Sequence, residues 1–230
     1  MRIPADVTYP MPRGVRGPAG PALWRFSPDR AALLVHDMQR YFLGCFAADA
    51  SPRRELTRHT ALLLAAAREA GVPVLYTAQP GAMTREQRGL LHRIWGTGMS
   101  ADPGHQEIDP TVAPREDEPV LTKWRYSSFV RTDLLERLTR MRRDQLVVCG
   151  VYAHIGCLVT AVDAFSHDIQ PFLVADAMAD FTAEYHALAL DYARERCAEV
   201  TTTAALLSGF RAHRPGGPAV ELPAGARHAD

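Results

Sequence analysis

The sequence predicts an α/β fold, a doubly wound and mainly parallel sheet with helices on both faces, and three observations carry that prediction. Five short apolar runs punctuate the chain from Ala31 onward: AALLVHD (31–37), VPVLYTA (72–78), PVLTK (119–123), QLVVCGV (145–151) and QPFLVAD (170–176). They are apolar at consecutive positions, as strands covered on both faces are, where a strand with one wet face would alternate. Segments with helical periodicity separate them, at about 52–70, 84–94, 131–142, 155–167 and 183–197. Strands that alternate with helices are joined by crossovers, and crossovers make parallel neighbours.

Ahead of the first run, residues 1–30 hold six of the 17 prolines and mix Pro, Gly and Arg. That texture disfavours helix and predicts an extended N-terminal arm lying over the domain or a partner. Residues 31–210 form one domain, with no internal repeat. From Arg211 the chain has three Pro, three Gly and no aromatic residue in its last 20 positions, so 211–230 is expected to be a disordered tail.

A chain of 230 residues buries a core without help from disulfides or metals. Its 26 basic residues balance 26 acidic ones, so no bulk charge points to nucleic acid or an anionic membrane. The longest apolar runs, such as TALLLAAA, fall far short of the roughly 20 residues that span a bilayer, and MRIPADVTYP lacks the apolar centre of a signal peptide. A cytoplasmic protein is expected. Cys45, Cys149, Cys157 and Cys197 lie far apart with no CxxC pair, which predicts reduced, largely buried thiols.

Ligands of open α/β sheets bind at the carboxyl ends of the strands, so polar residues that end apolar runs are the first candidates. These are Asp37, then Thr77 to Gln79, Lys123, GVYAHIGC (150–157), and Asp176 with Asp180. Each has a plainer reading. Asp37 suits a helix cap, Lys123 a solvated loop, and Asp176 and Asp180 turn or cap positions. His36 and His154 fit hydrogen-bonded core or rim histidines. Phe42, Trp95, Tyr126 and Tyr152 suit packing or the wall of a pocket for a flat ligand. There is no GxSxG elbow, GxGxxG turn or GxxxxGK[ST] loop, and no HExxH cluster.

The stretches LLVHDMQRYF, YTAQPGAMTREQRGLL, LTKWRYSSF, CGVYAHIGC and DIQPFLVADAMADF, in that order, resemble the isochorismatase branch of the cysteine-hydrolase-like superfamily. The likeness is collinear from about residue 1 to 208, and TAQPGAMTREQRGLL is more similar to the phenazine-type members. The resemblance implies a six-stranded Rossmann-like sheet of order 3-2-1-4-5-6 with its site at the strand carboxyl ends. It implies Asp37 and Lys123 as the acid and lysine of the catalytic set, and puts Gly156 in the slot where amidohydrolase relatives carry a cysteine. Gln79, Arg88 and Lys123 would hold substrate oxygens, and Tyr152 and Gly156 would line the enolpyruvyl position, the bare Gly156 making room there. Phe42, Trp95 and Tyr126 would be apolar walls. A cis peptide is expected at Val151–Tyr152. With no ligand in YTAQP, no metal is expected, and no other cofactor.

Glycine cannot form an acyl-enzyme, whereas cleaving a vinyl ether needs a positioned acid. The resemblance therefore implies an ether hydrolase acting on a small chorismate-derived substrate, isochorismate or 2-amino-2-deoxyisochorismate. A homodimer is its implied assembly. Two other readings stand beside it: a cysteine amidohydrolase that uses Cys157, and a non-catalytic subunit that docks a carrier protein. The chain has no serine motif for phosphopantetheine and no room for a carrier domain of its own, which weighs against the last.

Overall fold

Residues 3–12 and 23–212 are described by the computed structural model. Residues 1–2 and 13–22 of the arm and positions 213–230 of the expected tail lie outside the described residues, while Arg211 and Ala212, expected in that tail, instead end a helix (Thr203–Ala212). Along the chain run β1 (Ala31–His36), α1 (Arg40–Leu43), α2 (Arg53–Glu69), β2 (Val74–Ala78), α3 (Arg85–Arg88), α4 (Leu91–Trp95), α5 (Pro103–Gln106) and β3 (Val120–Thr122). Then come α6 (Leu134–Arg140), β4 (Gln145–Val151), a π-helical turn (Ala153–Cys157), α7 (Leu158–Ser166), β5 (Gln170–Ala179), α8 (Ala183–Arg196), β6 (Glu199–Thr201) and α9 (Thr203–Ala212).

All described strand pairs are parallel, and the sheet order is β3-β2-β1-β4-β5-β6. β1 and β4 are buried at every position, which is why they lie at the centre. Successive side chains of a strand face opposite ways, so the sheet splits the core in two. Leu33, Val35, Val147 and Cys149 pack with Leu56, Leu63 and Leu64 of α2 and with Leu206 and Phe210 of α9. Ala32, Leu34, Leu146 and Val148 pack against Leu134 and Leu138 of α6, Ala161 of α7 and Leu190 of α8. All four cysteines are free and buried.

Three boundaries differ from the sequence prediction. The expected helix over 84–94 is two short ones, because Gly89 takes φ 52°, a backbone that ends a helix. The expected helix over 155–167 opens with the π-helical turn. The run 170–176 continues as strand to Ala179, carried past a register shift against β4 between Val148 and Gly150. Gly150 there has φ 118° and lies so close to β1 that a Cβ would be 2.1 Å from the His36 carbonyl oxygen.

Within the arm, Val7 makes a parallel bridge to Phe46, and Tyr9 is buried. The Tyr9 hydroxyl accepts from the Asp180 N–H (2.7 Å) and donates to Nδ1 of His186 (3.0 Å). Burial pushes His186 down to about 4, against the pull of Asp180, and burial does the same to His36. Both are neutral when folded but take a proton near pH 6.5 when unfolded. The unfolded chain thus binds more protons between about pH 6.5 and 4, and stability falls as pH falls through that window. Urea midpoints should drop over this range, and His186→Gln should flatten the slope while lowering the midpoint near neutrality.

Candidate active site

The carboxyl ends of β1 and β4 adjoin where the strand order reverses, with connections running outward on either side, and a crevice opens there. It holds a cavity of about 850 Å³. All nine residues singled out for the site, Asp37, Phe42, Gln79, Arg88, Trp95, Lys123, Tyr126, Tyr152 and Gly156, line it.

At its floor is Asp37, the residue after β1, with φ 50° and 3% exposure. It caps nothing: the residue before α1 is Gln39. Instead the carboxylate accepts from Thr77 Oγ1 (2.6 Å), Lys123 Nζ (2.9 Å) and Gln79 Nε2 (3.1 Å). Burial pushes its pKa up, but the Lys123 ammonium, the neighbouring His36 and the two hydrogen bonds from Thr77 and Lys123 outweigh it, and the net direction is down. Asp37 is therefore ionised in the free protein. Lys123 follows β3, where its N–H donates to the Ala78 carbonyl (2.9 Å), and its side chain is buried, which removes the solvated-loop reading.

Gln79 is held in place by Gln39, a buried residue that sequence reasoning missed. Gln39 accepts from the Gln79 N–H (2.8 Å) and donates to the carbonyls of Gln79 and Gln106 (2.9 Å each). The available signal was an amide directly after the buried Met38, ahead of the helix that carries Phe42. Arg88 ends α3, which opens with a reciprocal cap between Thr84 and Gln87. It is 5% exposed, donates Nε–H to the Gly96 carbonyl (2.7 Å), and forms no salt bridge with an acid among the described residues. Its Nη1 and Nη2 have no acid partner there, a geometry that suits a carboxylate.

Trp95 donates to the Tyr126 hydroxyl (2.8 Å), and Tyr152 donates to the Phe42 carbonyl (2.8 Å), so the aromatic walls are also tied together by polar bonds. Phe181, another residue not singled out, packs on Tyr152 with ring centroids 4.3 Å apart. The Val151–Tyr152 peptide is cis.

The isochorismatase domain pattern matches residues 31–205. The chain is 54% identical over 201 residues to phenazine biosynthesis protein PhzD1 of Pseudomonas aeruginosa, covering 87% of this chain and 96% of that one. It is 48% identical over 207 residues to the isochorismatase of Bacillus subtilis, covering 90% and 66%. A solved cysteine hydrolase from Pseudomonas syringae shares the fold, with TM-score 0.76 at 24% identity over 83% of this chain and 97% of that one.

The chain belongs to the isochorismatase family. It is an enzyme, a hydrolase of isochorismatase type.

In this isochorismatase-family site the slot at Gly156 is not the open space that the sequence suggested. A Cβ there would lie 2.1 Å from Cε1 of His36, so the room left by the glycine is taken by an imidazole. Cys157 is fully buried in the second core layer, outside the cavity lining, and burial pushes its thiol well up. Cys45 does touch the cavity, but burial pushes it up to about 12. Neither is a thiolate at neutral pH.

Asp176, expected at the edge, lies within the lengthened β5 and accepts from the N–H and hydroxyl of Thr203 at the start of α9 (2.7 and 2.9 Å). Asp180 accepts from His154 N–H and Nδ1 and from Phe181 N–H, a turn role. His154 is a rim histidine stacked on Tyr185. Among the described residues no group of three or more His, Cys, Asp or Glu side chains is placed to hold a metal, and no helix is long and apolar enough to cross a membrane.

Removing the lysine exposes the logic of the pair. Lys123→Met leaves a buried carboxylate unpaired, which should cost about 3 kcal/mol or more near pH 7. Its pKa would then rise above the unfolded value, so the deficit should shrink as pH falls, opposite to the wild-type trend. Denaturant titrations at neutral and mildly acidic pH check the sign.

Proposed function

We propose that the enzyme hydrolyses the enolpyruvyl ether of 2-amino-2-deoxyisochorismate or isochorismate, with Asp37 as the general acid and no covalent intermediate. The observation that carries this is the cavity itself: Asp37 is the one carboxyl among its lining residues, and no activated nucleophile accompanies it. The products are pyruvate and trans-2,3-dihydro-3-hydroxyanthranilate or 2,3-dihydro-2,3-dihydroxybenzoate. The relatives named for phenazine biosynthesis support the amino substrate and a place in secondary metabolism.

Asp37 delivers its proton to the terminal methylene carbon, which leaves an oxocarbenium ion. Water adds to the oxocarbenium carbon, the one bonded to the ether oxygen, and returns a proton to the carboxylate, and the hemiketal collapses to pyruvate and the ring alcohol. This requires a protonated Asp37 in the complex, whereas the free site holds it ionised. Substrate carboxylates that engage Lys123 and Arg88 weaken the ammonium's hold on Asp37 and displace water, and both effects raise its pKa. Gln79 and Lys123 hold substrate oxygens, Phe42, Trp95 and Tyr126 sandwich the ring, and Tyr152 and Gly156 border the enolpyruvyl end. A homodimer and a cytoplasmic location complete the proposal, the first on the strength of the family resemblance.

Pyruvate release on the two substrates side by side is the direct measurement. Asp37→Ala should lose about 10³-fold in kcat, while Cys157→Ala should keep it; the reverse pattern would restore the amidohydrolase reading. The alkaline limb of kcat should lie at higher pH than that of kcat/KM, because the first reports Asp37 in the complex and the second reports the free enzyme. Light scattering in solution reads the dimer.

A further inference from the structure

His36 is completely buried, lines the cavity, and sits one residue before the proposed acid. Its Nδ1 lies 2.7 Å from the Val151 carbonyl, which can only accept, so Nδ1 carries the proton. Nε2 is buried with no partner within hydrogen-bond distance, and the Tyr126 carbonyl also bears on the ring.

The ring's other edge explains its presence. It is pressed on Gly156, where a Cβ would meet Cε1 at 2.1 Å, Nε2 at 2.7 Å and Nδ1 at 3.1 Å. The ring cannot retreat: Nδ1 is tied to Val151, and the His36 backbone is pinned by the close approach of Gly150. Gly156 cannot retreat either, because its N–H and that of Cys157 both close on the Tyr152 carbonyl (3.0 and 3.3 Å). On the near side, Nδ1 is 3.9 Å from Asp37 Oδ2.

We infer that His36 is a positioning residue: its imidazole fills the side-chain volume at 156 and, through the Val151 carbonyl, holds the Tyr152–Gly156 turn at a fixed place relative to Asp37. It excludes any side chain, a thiol included, from the slot, and so helps decide which reaction the site performs. The inference deepens the ether-hydrolase reading and rests on it for its kinetic part.

Two functions are separable by substitution. In His36→Asn the amide nitrogen takes the place of Nδ1 and keeps a donor for Val151, while the ring edge facing Gly156 is removed. In His36→Ala both are lost. Misplacing the turn by about 1 Å should cost about 10²-fold in kcat for His36→Ala, with KM changed little, and His36→Asn should recover most of it. Gly156→Ala alone should lose stability and about 10²-fold in kcat. In the His36→Asn background the same change should be tolerated, a strongly non-additive cycle.

Thermal midpoints and near-ultraviolet circular dichroism of the four variants read the steric coupling with no substrate present, and pyruvate release reads positioning. If Gly156→Ala does not fold, recovery of folded protein in the double variant is the supporting result. Wild-type stability and kcat in Gly156→Ala, an additive or insoluble double variant, or equal kcat in His36→Ala and His36→Asn would each overturn the inference. Coupling in the midpoints with no pyruvate from the wild type would instead overturn the ether-hydrolase reading.

Discussion

A carboxylate and an ammonium 2.9 Å apart, both almost fully buried, are the constraint on which the rest of the site depends. Bringing two charges out of water costs several kcal/mol per ion, and their attraction offsets that only when the remaining lone pairs are satisfied. Thr77 and Gln79 supply those bonds, and each comes from the end of a different strand than Asp37 or Lys123. The sheet order makes these ends neighbours: Asp37 N–H donates to the Thr77 carbonyl and Lys123 N–H to the Ala78 carbonyl. β3 shows the dependence most plainly. It is three residues long with two of them exposed, and contributes little core, yet it sets Lys123 beside the acid.

In the proposed reaction the pair has two states, with Asp37 ionised in the free site and protonated in the complex. Arg88 is buried without an acid among the described residues, and burial pulls its pKa down, so its charge is under-compensated until an anion arrives. In the proposed mechanism, binding energy from a carboxylate at Arg88 and Lys123 weakens the Asp37–Lys123 attraction and returns a proton to Asp37. The chain as a whole is electrically balanced, 26 against 26, while its cavity lining has Arg40, Arg88, Arg93 and Lys123 against one carboxyl. Bulk charge gives no pointer to nucleic acid and says nothing about this local field.

How much of this was legible in the sequence follows from where the information lies. β1 and β4 were read to within a residue because burial on both faces writes an unbroken apolar run. β6 has three residues, and neither it nor α9 announces itself by pattern, so the sixth strand came from family resemblance alone. Asp37 and Lys123 were visible as polar groups that end apolar runs. Asp176 looked the same and was not, because β5 continues through Ala177, Met178 and Ala179 to Asp180. Gln39 was missed since its partners are backbone groups of Gln79 and Gln106, which no local pattern places beside it.

The contact between His36 and Gly156 was equally hidden, because it joins residues on different elements, and it changes what the glycine means. A bare Cα in that slot suggests open space for a ligand, yet the space is already full. An imidazole at 36 and a side chain at 156 are mutually exclusive on this backbone. Turning the site toward acyl-enzyme chemistry therefore needs two changes at once, a smaller residue at 36 and a nucleophile at 156. Cys157 offers no shortcut, because it is fully buried in the second core layer and burial keeps it a thiol. Any single step on that path loses either the packing of the turn or the placement of the acid, which is a physical reason for a glycine and a histidine to remain together here.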